Sequence, residues 1–308
     1  DQSLERMSPA LQRAGKLFER RLRDPLLARA AFDRLMPDVN GDGVAHADVV
    51  IEAIFEDLAA KQALFKALEP RMKAGAILAT NTSSLKLEDL RTVLQKPERL
   101  VGIHFFNPVA MMPLVEVVEA KGADPLAVQA ACAFVRQIDK LPLPVKSEPG
   151  FLVNAVLAPY MLGAMAAVDA GVSPETIDEA MLAFGMPMGP IELIDTVGLD
   201  IALAAGRQLS GGAEPPRCLL ERVNQGQLGK KTGQGFYAWA DGRATKGAVA
   251  AVPSGLALRL ITPLIDRVEQ LVADGVVADA HLADAGVIFG SGFAPFTGGP
   301  LNFRNKRR

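Results

Sequence analysis

The stretch "GIHFFNPVAMMPLVEVV", residues 102–118, decides the fold. Two apolar runs overlap it, "RLVGIHFF" (99–106) and "LVEVVEA" (114–120), and both read as buried strands. Each carries a group that buried strands rarely keep: His104, one of three histidines in the chain, and Glu116. The ordinary reading of such a histidine is a hydrogen-bonded core residue. Here the strand stops at Phe105-Phe106, so His104 lies near its carboxyl end. The segment between His104 and Glu116 is long enough for the second strand to return alongside the first. A carboxylate bonded to an imidazole fixes its tautomer, and such a pair can accept and donate a proton. Asn107 adds an amide next to the pair.

Outward from this stretch, "HADVVIEAIF" (46–55), "GAILATNTSS" (75–84) and "LPLPV" (141–145) are further strand runs. Residues 4–33, 57–69 and 124–138 read as helical, the first interrupted at Asp24-Pro25. Buried strands alternating with helices predict a parallel α/β sheet. After "SEPGF" (147–151) strand runs give way to Ala-, Leu- and Met-rich helices. Pro149-Gly150 is therefore one predicted boundary, and the small, polar "DGRATKGAVAAVPSG" (241–255) is a second. Segments 165–190 and 269–300 share an order: helix, "A-G-V" or "D-G-V", a helix with Asp and Ala, "F-G", then Gly and Pro. They read as two copies of one helical unit; the plainer account is two Ala-rich helices alike by composition.

With 49% hydrophobic and 22% charged residues among 308, the chain can build a packed core and is not a disordered one. A net charge of −2 leaves no footprint for nucleic acid or an anionic membrane. The terminal "RNKRR" reads as a solvated tail. Cys132 and Cys218 lie far apart with no C-x-x-C, which supports no zinc site and fits a reducing cytoplasm. No run reaches the ~18 apolar residues of a membrane span, and the N-terminus lacks the apolar core of a signal peptide. "DVNGDG" (38–43) begins like a calcium loop, but Val49 stands where the loop needs a Glu, so a polar turn suffices.

Polar groups also gather at other strand ends. Glu56 follows one strand, Asp57 caps the next helix, and Lys61 shares a helix side with Leu58, Phe65 and Leu68. Lys61 is expected either to snorkel to water or to face a ligand at the carboxyl edge of the sheet. In "TNTSS" (80–84), Ser83 or Ser84 caps the following helix, or Ser83 donates at that same edge.

Together "TNTSS", "GIHFFNPVAMMPLVEVVEA", "EPGFLVN", "MGPIELIDTVGLD" and "GKKTGQGFY" resemble, in order and along essentially the whole chain, the L-3-hydroxyacyl-CoA dehydrogenase family. The second helical copy is similar to that of the multifunctional enoyl-CoA hydratase/3-hydroxyacyl-CoA dehydrogenases. The resemblance implies an α/β Rossmann-like domain over 1–148, an all-α dehydrogenase C-terminal domain over 149–241, and an incomplete second copy over 250–308. It implies NAD-dependent oxidation of L-3-hydroxyacyl-CoA to 3-oxoacyl-CoA in fatty-acid β-oxidation. His104 would be the base and Glu116 its orienting carboxylate. Ser83 and Asn154 match substrate-binding groups. Ile54, Phe55, Glu56, Lys61 and Asn107 match cofactor contacts, and Asp1 matches the acidic residue that holds the adenosine ribose. No metal is implied. A homodimer or a complex with a thiolase subunit, in the cytoplasm, is the implied setting. Two alternatives are a non-catalytic fragment that binds acyl-CoA or a partner subunit, and a 3-hydroxybutyryl-CoA dehydrogenase. The family opens with a strand, a G-x-G-x-x-G turn and a helix, none of which precede Asp1 here. The expectation is an N-terminally truncated Rossmann-like domain with weakened NAD binding.

Overall fold

A computed structural model describes residues 3–209 and 214–307. Two helices come first, α1 (Leu4–Leu22) and α2 (Pro25–Phe32), and the chain breaks between them at Asp24-Pro25. Asp24 caps α2 through the Leu26 amide at 2.8 Å, with Pro25 pre-set at the first helical position. The α/β unit follows: β1 (Val49–Glu52), α3 (Leu58–Leu68), β2 (Ile77–Thr80), α4 (Leu87–Leu90), β3 (Leu100–Phe105), β4 (Leu114–Glu119), α5 (Pro125–Gln137) and β5 (Leu141–Lys146).

The five strands lie in the order β1-β2-β3-β4-β5. Strands β1 to β3 are parallel, as the alternation of strands and helices predicts. At β4 the direction reverses, and β5 runs parallel to β4. The cause is connection length. Residues 106–113 are too few for a crossover helix, so β3 and β4 close as an antiparallel pair.

Strand periodicity then sorts the side chains onto two faces. Ile77, Ala79, Val101, Ile103, Val115 and Val117 pack against α5. Leu78, Leu100, Leu114 and Val118 face the other way, into a core shared with the helices that follow. His104 is in phase with Leu100, and Glu116 with Leu114 and Val118, so both point toward the helical unit. Gly102, opposite Val118, keeps this pair close: a Cβ there would lie 2.5 Å from the Val118 Cβ.

That helical unit comprises α6 (Val153–Asp169), α7 (Pro174–Phe184), α8 (Pro190–Val197), α9 (Leu199–Leu209) and α10 (Arg217–Asn224), then the short hairpin β6 (Ala238–Ala240) and β7 (Arg243–Thr245). A last group follows: α11 (Leu256–Ala273), α12 (Ala280–Ser291) and α13 (Pro300–Asn305). Helices α6 and α11 pack side by side. Each group contains the same buried device. Asp178 on α7 accepts from the Ile191 and Glu192 amides at the start of α8, at 2.8 and 3.2 Å. Asp284 on α12 accepts from the Leu301 and Asn302 amides at the start of α13, at 2.7 and 3.0 Å. Gly189 and Gly299 precede those helices, and a Cβ on either would fall within 2.4 Å of the aspartate.

The terminal basic run is not wholly solvated. Arg304 pairs with Asp266 and Glu269 on α11, tying α13 down.

Candidate active site

His104 and Glu116 are direct cross-strand partners in the β3–β4 register. Nδ1 of His104 lies 2.7 Å from Oε2 of Glu116, and the two residues are 5% and 0% exposed. The other carboxylate oxygen, Oε1, accepts from the amides of Leu152 and Val153, both at 3.0 Å. These are the first free N–H groups of α6, so the positive end of that helix also favours the carboxylate. Both oxygens are thus committed, and the imidazole is held with Nδ1 on Glu116. Among the described residues Nε2 has no partner. Phe106 and Phe151 meet the ring edge-on, with centroids at 4.6 and 5.6 Å. Phe151 holds φ at +51°, an uncommon conformation for an aromatic residue, and its amide is anchored on the Glu148 carbonyl at 2.9 Å.

A second constellation forms where β1 and β2 end. Oε1 of Glu56 accepts from the Thr82 hydroxyl, the Ser83 and Ser84 amides at 3.0 and 3.2 Å, and the Ser84 hydroxyl at 3.0 Å. Its other oxygen pairs with Lys61 at 3.2 Å. Burial pushes the Glu56 carboxyl up, but the Thr82 hydroxyl, the Lys61 charge and the Ser83 amide outweigh it and hold it below the usual value. The Ser83 hydroxyl is left without a partner among the described residues. Neither serine caps the next helix, contrary to one of the two expectations. The Leu87 amide that opens α4 donates instead to Ser147 Oγ at 3.0 Å, sixty residues away.

Lys61 neither snorkels nor faces an open ligand surface. It is 1% exposed, with Nζ 2.7 Å from Glu52 and 3.2 Å from Glu56. Phe65, one turn on, is also buried, so the stripe packs inward. Glu52, 3% exposed, completes the lock by accepting from Thr80 Oγ1 at 2.7 Å and the Ile54 amide at 2.6 Å. The sequence reading missed Glu52, although a lone carboxylate in "VVIEAIF" is the same signal that singled out Glu116. Ile54 and Phe55 stand 38% and 69% exposed just past β1. They stand at the carboxyl end of a parallel strand, the edge where doubly wound sheets bind ligands. Asp1 lies outside the described residues.

Two clefts join these groups. One, of about 560 Å³, is lined by Glu56, Ser83, Ser84 and Asn154 and by apolar side chains of α6, α8 and α9. The second, of about 980 Å³, is lined by Phe106, Asn107, Asn154 and residues of α8 and α12. Asn154, Leu157, Leu193 and Val197 line both. Asn107 and Asn154, distant in sequence, therefore border one space. The "GKKTGQGFY" motif lies elsewhere: the Phe236 and Tyr237 amides and the Trp239 indole all donate to buried Asp195 on α8, at 2.8 to 2.9 Å. Asp178 gains two more partners, the Tyr237 hydroxyl at 2.8 Å and Lys246 at 3.2 Å. Burial nevertheless keeps the Asp178 carboxyl above its usual value, and the same cause raises Asp284.

A Rossmann-like sheet whose strand ends meet a helical unit, with a carboxylate-held imidazole at the junction, is the build of a nicotinamide-dependent dehydrogenase. Residues 1–148 match the 3-hydroxyacyl-CoA dehydrogenase NAD binding domain, and residues 150–239 match the 3-hydroxyacyl-CoA dehydrogenase C-terminal domain. The chain belongs to the 3-hydroxyacyl-CoA dehydrogenase family. It is 37% identical to the fatty acid oxidation complex subunit alpha of Ectopseudomonas oleovorans over 97% of this chain and 46% of that protein. It is 34% identical to the subunit of the same name from Vibrio campbellii over 94% of this chain and 44% of that protein. The chain thus spans less than half the length of these relatives. Among solved structures, 3-hydroxybutyryl-CoA dehydrogenase from Escherichia coli superposes with a TM-score of 0.88 at 26% identity, covering 100% of this chain and 85% of that one. The dehydrogenase part of multifunctional enzyme 1 from C. elegans gives 0.64 at 26%, covering 94% and 71%. No described helix is long and apolar enough to cross a membrane.

Proposed function

We propose that this chain oxidises an L-3-hydroxyacyl-CoA to the 3-oxoacyl-CoA, with NAD as the cofactor, as part of fatty-acid β-oxidation. The observation that carries the reading is His104, held through Nδ1 by a carboxylate whose own oxygens are all satisfied, with Nε2 left for chemistry. Nε2 takes the proton of the substrate's 3-hydroxyl as the C3–H bond breaks and the C3 carbonyl forms. Glu116 keeps the ring oriented and stabilises the imidazolium that results. NAD, when bound, supplies the hydride acceptor; Ile54, Phe55 and Asn107 would border it, and Glu56 would hold the Ser83 loop in place. Lys61 acts through Glu56 rather than by contact. Ser83 and Asn154 bind the substrate's 3-oxygen and thioester region.

The working divisions would be an α/β part over 1–148, a helical part over 149–241, and a second helical copy over 250–308. The matched aspartate devices of α7–α8 and α12–α13 favour the duplication. A cytoplasmic setting, as a homodimer or beside a thiolase subunit, fits relatives named as complex subunits. The test is NADH formation from 3-hydroxyacyl-CoA by the parent chain and by His104→Gln. Loss of a general base lowers turnover by ~10²–10⁴. A His104→Gln variant with parental turnover would return that residue to a packing role.

A further inference from the structure

Helix α12 lies outside both family-model matches, yet it walls the larger cleft. Its sequence gives it two faces. One carries Ala283, Gly286, Val287 and Gly290, all buried. This face is pressed onto the α/β unit and the start of α6. A Cβ at Gly286 would lie 2.5 Å from Leu143 and 2.7 Å from Leu152; one at Gly290 would lie 2.4 Å from Val153. The contact is therefore made against the two residues whose amides hold Glu116. The opposite face presents Ala285, Ile288 and Phe289 to the cleft, with Phe289 45% exposed. Across from them stand Leu157, Leu193 and Val197.

The cleft's chemistry selects its occupant. Neither lysine nor arginine lines it, so it does not suit the phosphates of CoA. The one carboxylate in its wall, Asp284, spends both oxygens on the start of α13, and the Ser291 hydroxyl is spent on the Val287 carbonyl. The smaller cleft, by contrast, presents the carboxylates of Glu56 and Asp200. Phe106 lines the larger cleft and meets the His104 ring edge-on, so the cleft borders a residue packed on the imidazole. We propose that the acyl chain of the substrate lies along α12, and that Ala285 and Ile288 set the chain lengths the protein accepts. This rests on the acyl-CoA reading given above.

The test compares binding of dodecanoyl-CoA and butyryl-CoA by calorimetry, on the parent chain and on Ile288→Trp. Both ligands share the CoA part, so their affinity ratio isolates the chain. Filling the apolar wall should lower the dodecanoyl-to-butyryl ratio about tenfold or more. Ala285→Phe, a second intrusion on the same face, should move the ratio in the same direction, which covers the case that the tryptophan variant folds poorly. A ratio unchanged in both variants overturns the proposal. NADH formation by the same parent sample is read separately. Its absence at saturating NAD would remove the dehydrogenase reading while leaving the binding ratio to judge α12.

Discussion

At the scale of single residues, the site rests on carboxylates whose oxygens are all claimed. Glu116 serves an imidazole with one oxygen and two helix amides with the other. Glu116→Gln keeps an oxygen for the amides but loses the charge beside the ring. It should lower turnover sharply while urea stability stays near the parent's. Glu116→Leu should lower turnover as well, and should also cost about 1–3 kcal/mol in urea unfolding because two buried N–H groups lose their acceptor. Equal stability of the two variants would mean that the amides are satisfied some other way. Lys61→Met should be more damaging. It leaves Glu52 buried without its cation, a loss of about 3–5 kcal/mol for a broken buried pair. Glu56 gives a pH signature. Its carboxyl is held below the ordinary 4.5, so it contributes stability above that value, lost as pH falls through the lower folded value. In Glu56→Gln the acid limb of stability against pH should flatten; an unchanged limb would show that the charge is unsupported in the fold. His104 and Glu116 were legible because each is a polar group set between apolar neighbours inside a strand run. The amide partners of Glu116 were not: backbone N–H groups carry no sequence signal.

At the scale of elements, hydrophobic runs located every strand of the sheet to within a few residues, because buried strands are recognisable by composition alone. Direction was harder to read. The same runs fit either orientation, and the reversal at β4 follows from a connection too short for a helix. Helix α12 is the other case. Its glycines look like breakers in one dimension and act as a docking face in three. Gly290→Leu should therefore push α12 from Val153, destabilise the fold by about 1–3 kcal/mol, and lower turnover through the neighbouring Glu116 amides. Parental stability and turnover in that variant would show that α12 can retreat freely.

At the scale of the whole molecule, the two aspartate devices invite a direct comparison. Asp178 receives two helix amides, a tyrosine hydroxyl and a lysine, whereas among the described residues Asp284 accepts hydrogen bonds from the helix amides only. Asp178→Ala should thus lower the urea midpoint more than Asp284→Ala; the reverse order would place the main support in the terminal helices. The likeness between the two segments was visible in sequence, while the added partners, drawn from residues 237 and 246, were not. A practical consequence follows from the bond between Trp239 and Asp195. The chain has a single tryptophan, and its indole is fastened to α8 in the helical part. Intrinsic fluorescence is therefore an optical probe of that part alone, whereas turnover senses the seam where Glu116 crosses to α6. One continuous apolar core runs from Leu78 on the sheet to Leu301 on α13. Emission and enzymatic signal should accordingly vanish in a single denaturation step, and two separated midpoints would mean that the sheet and the helices come apart as independent bodies.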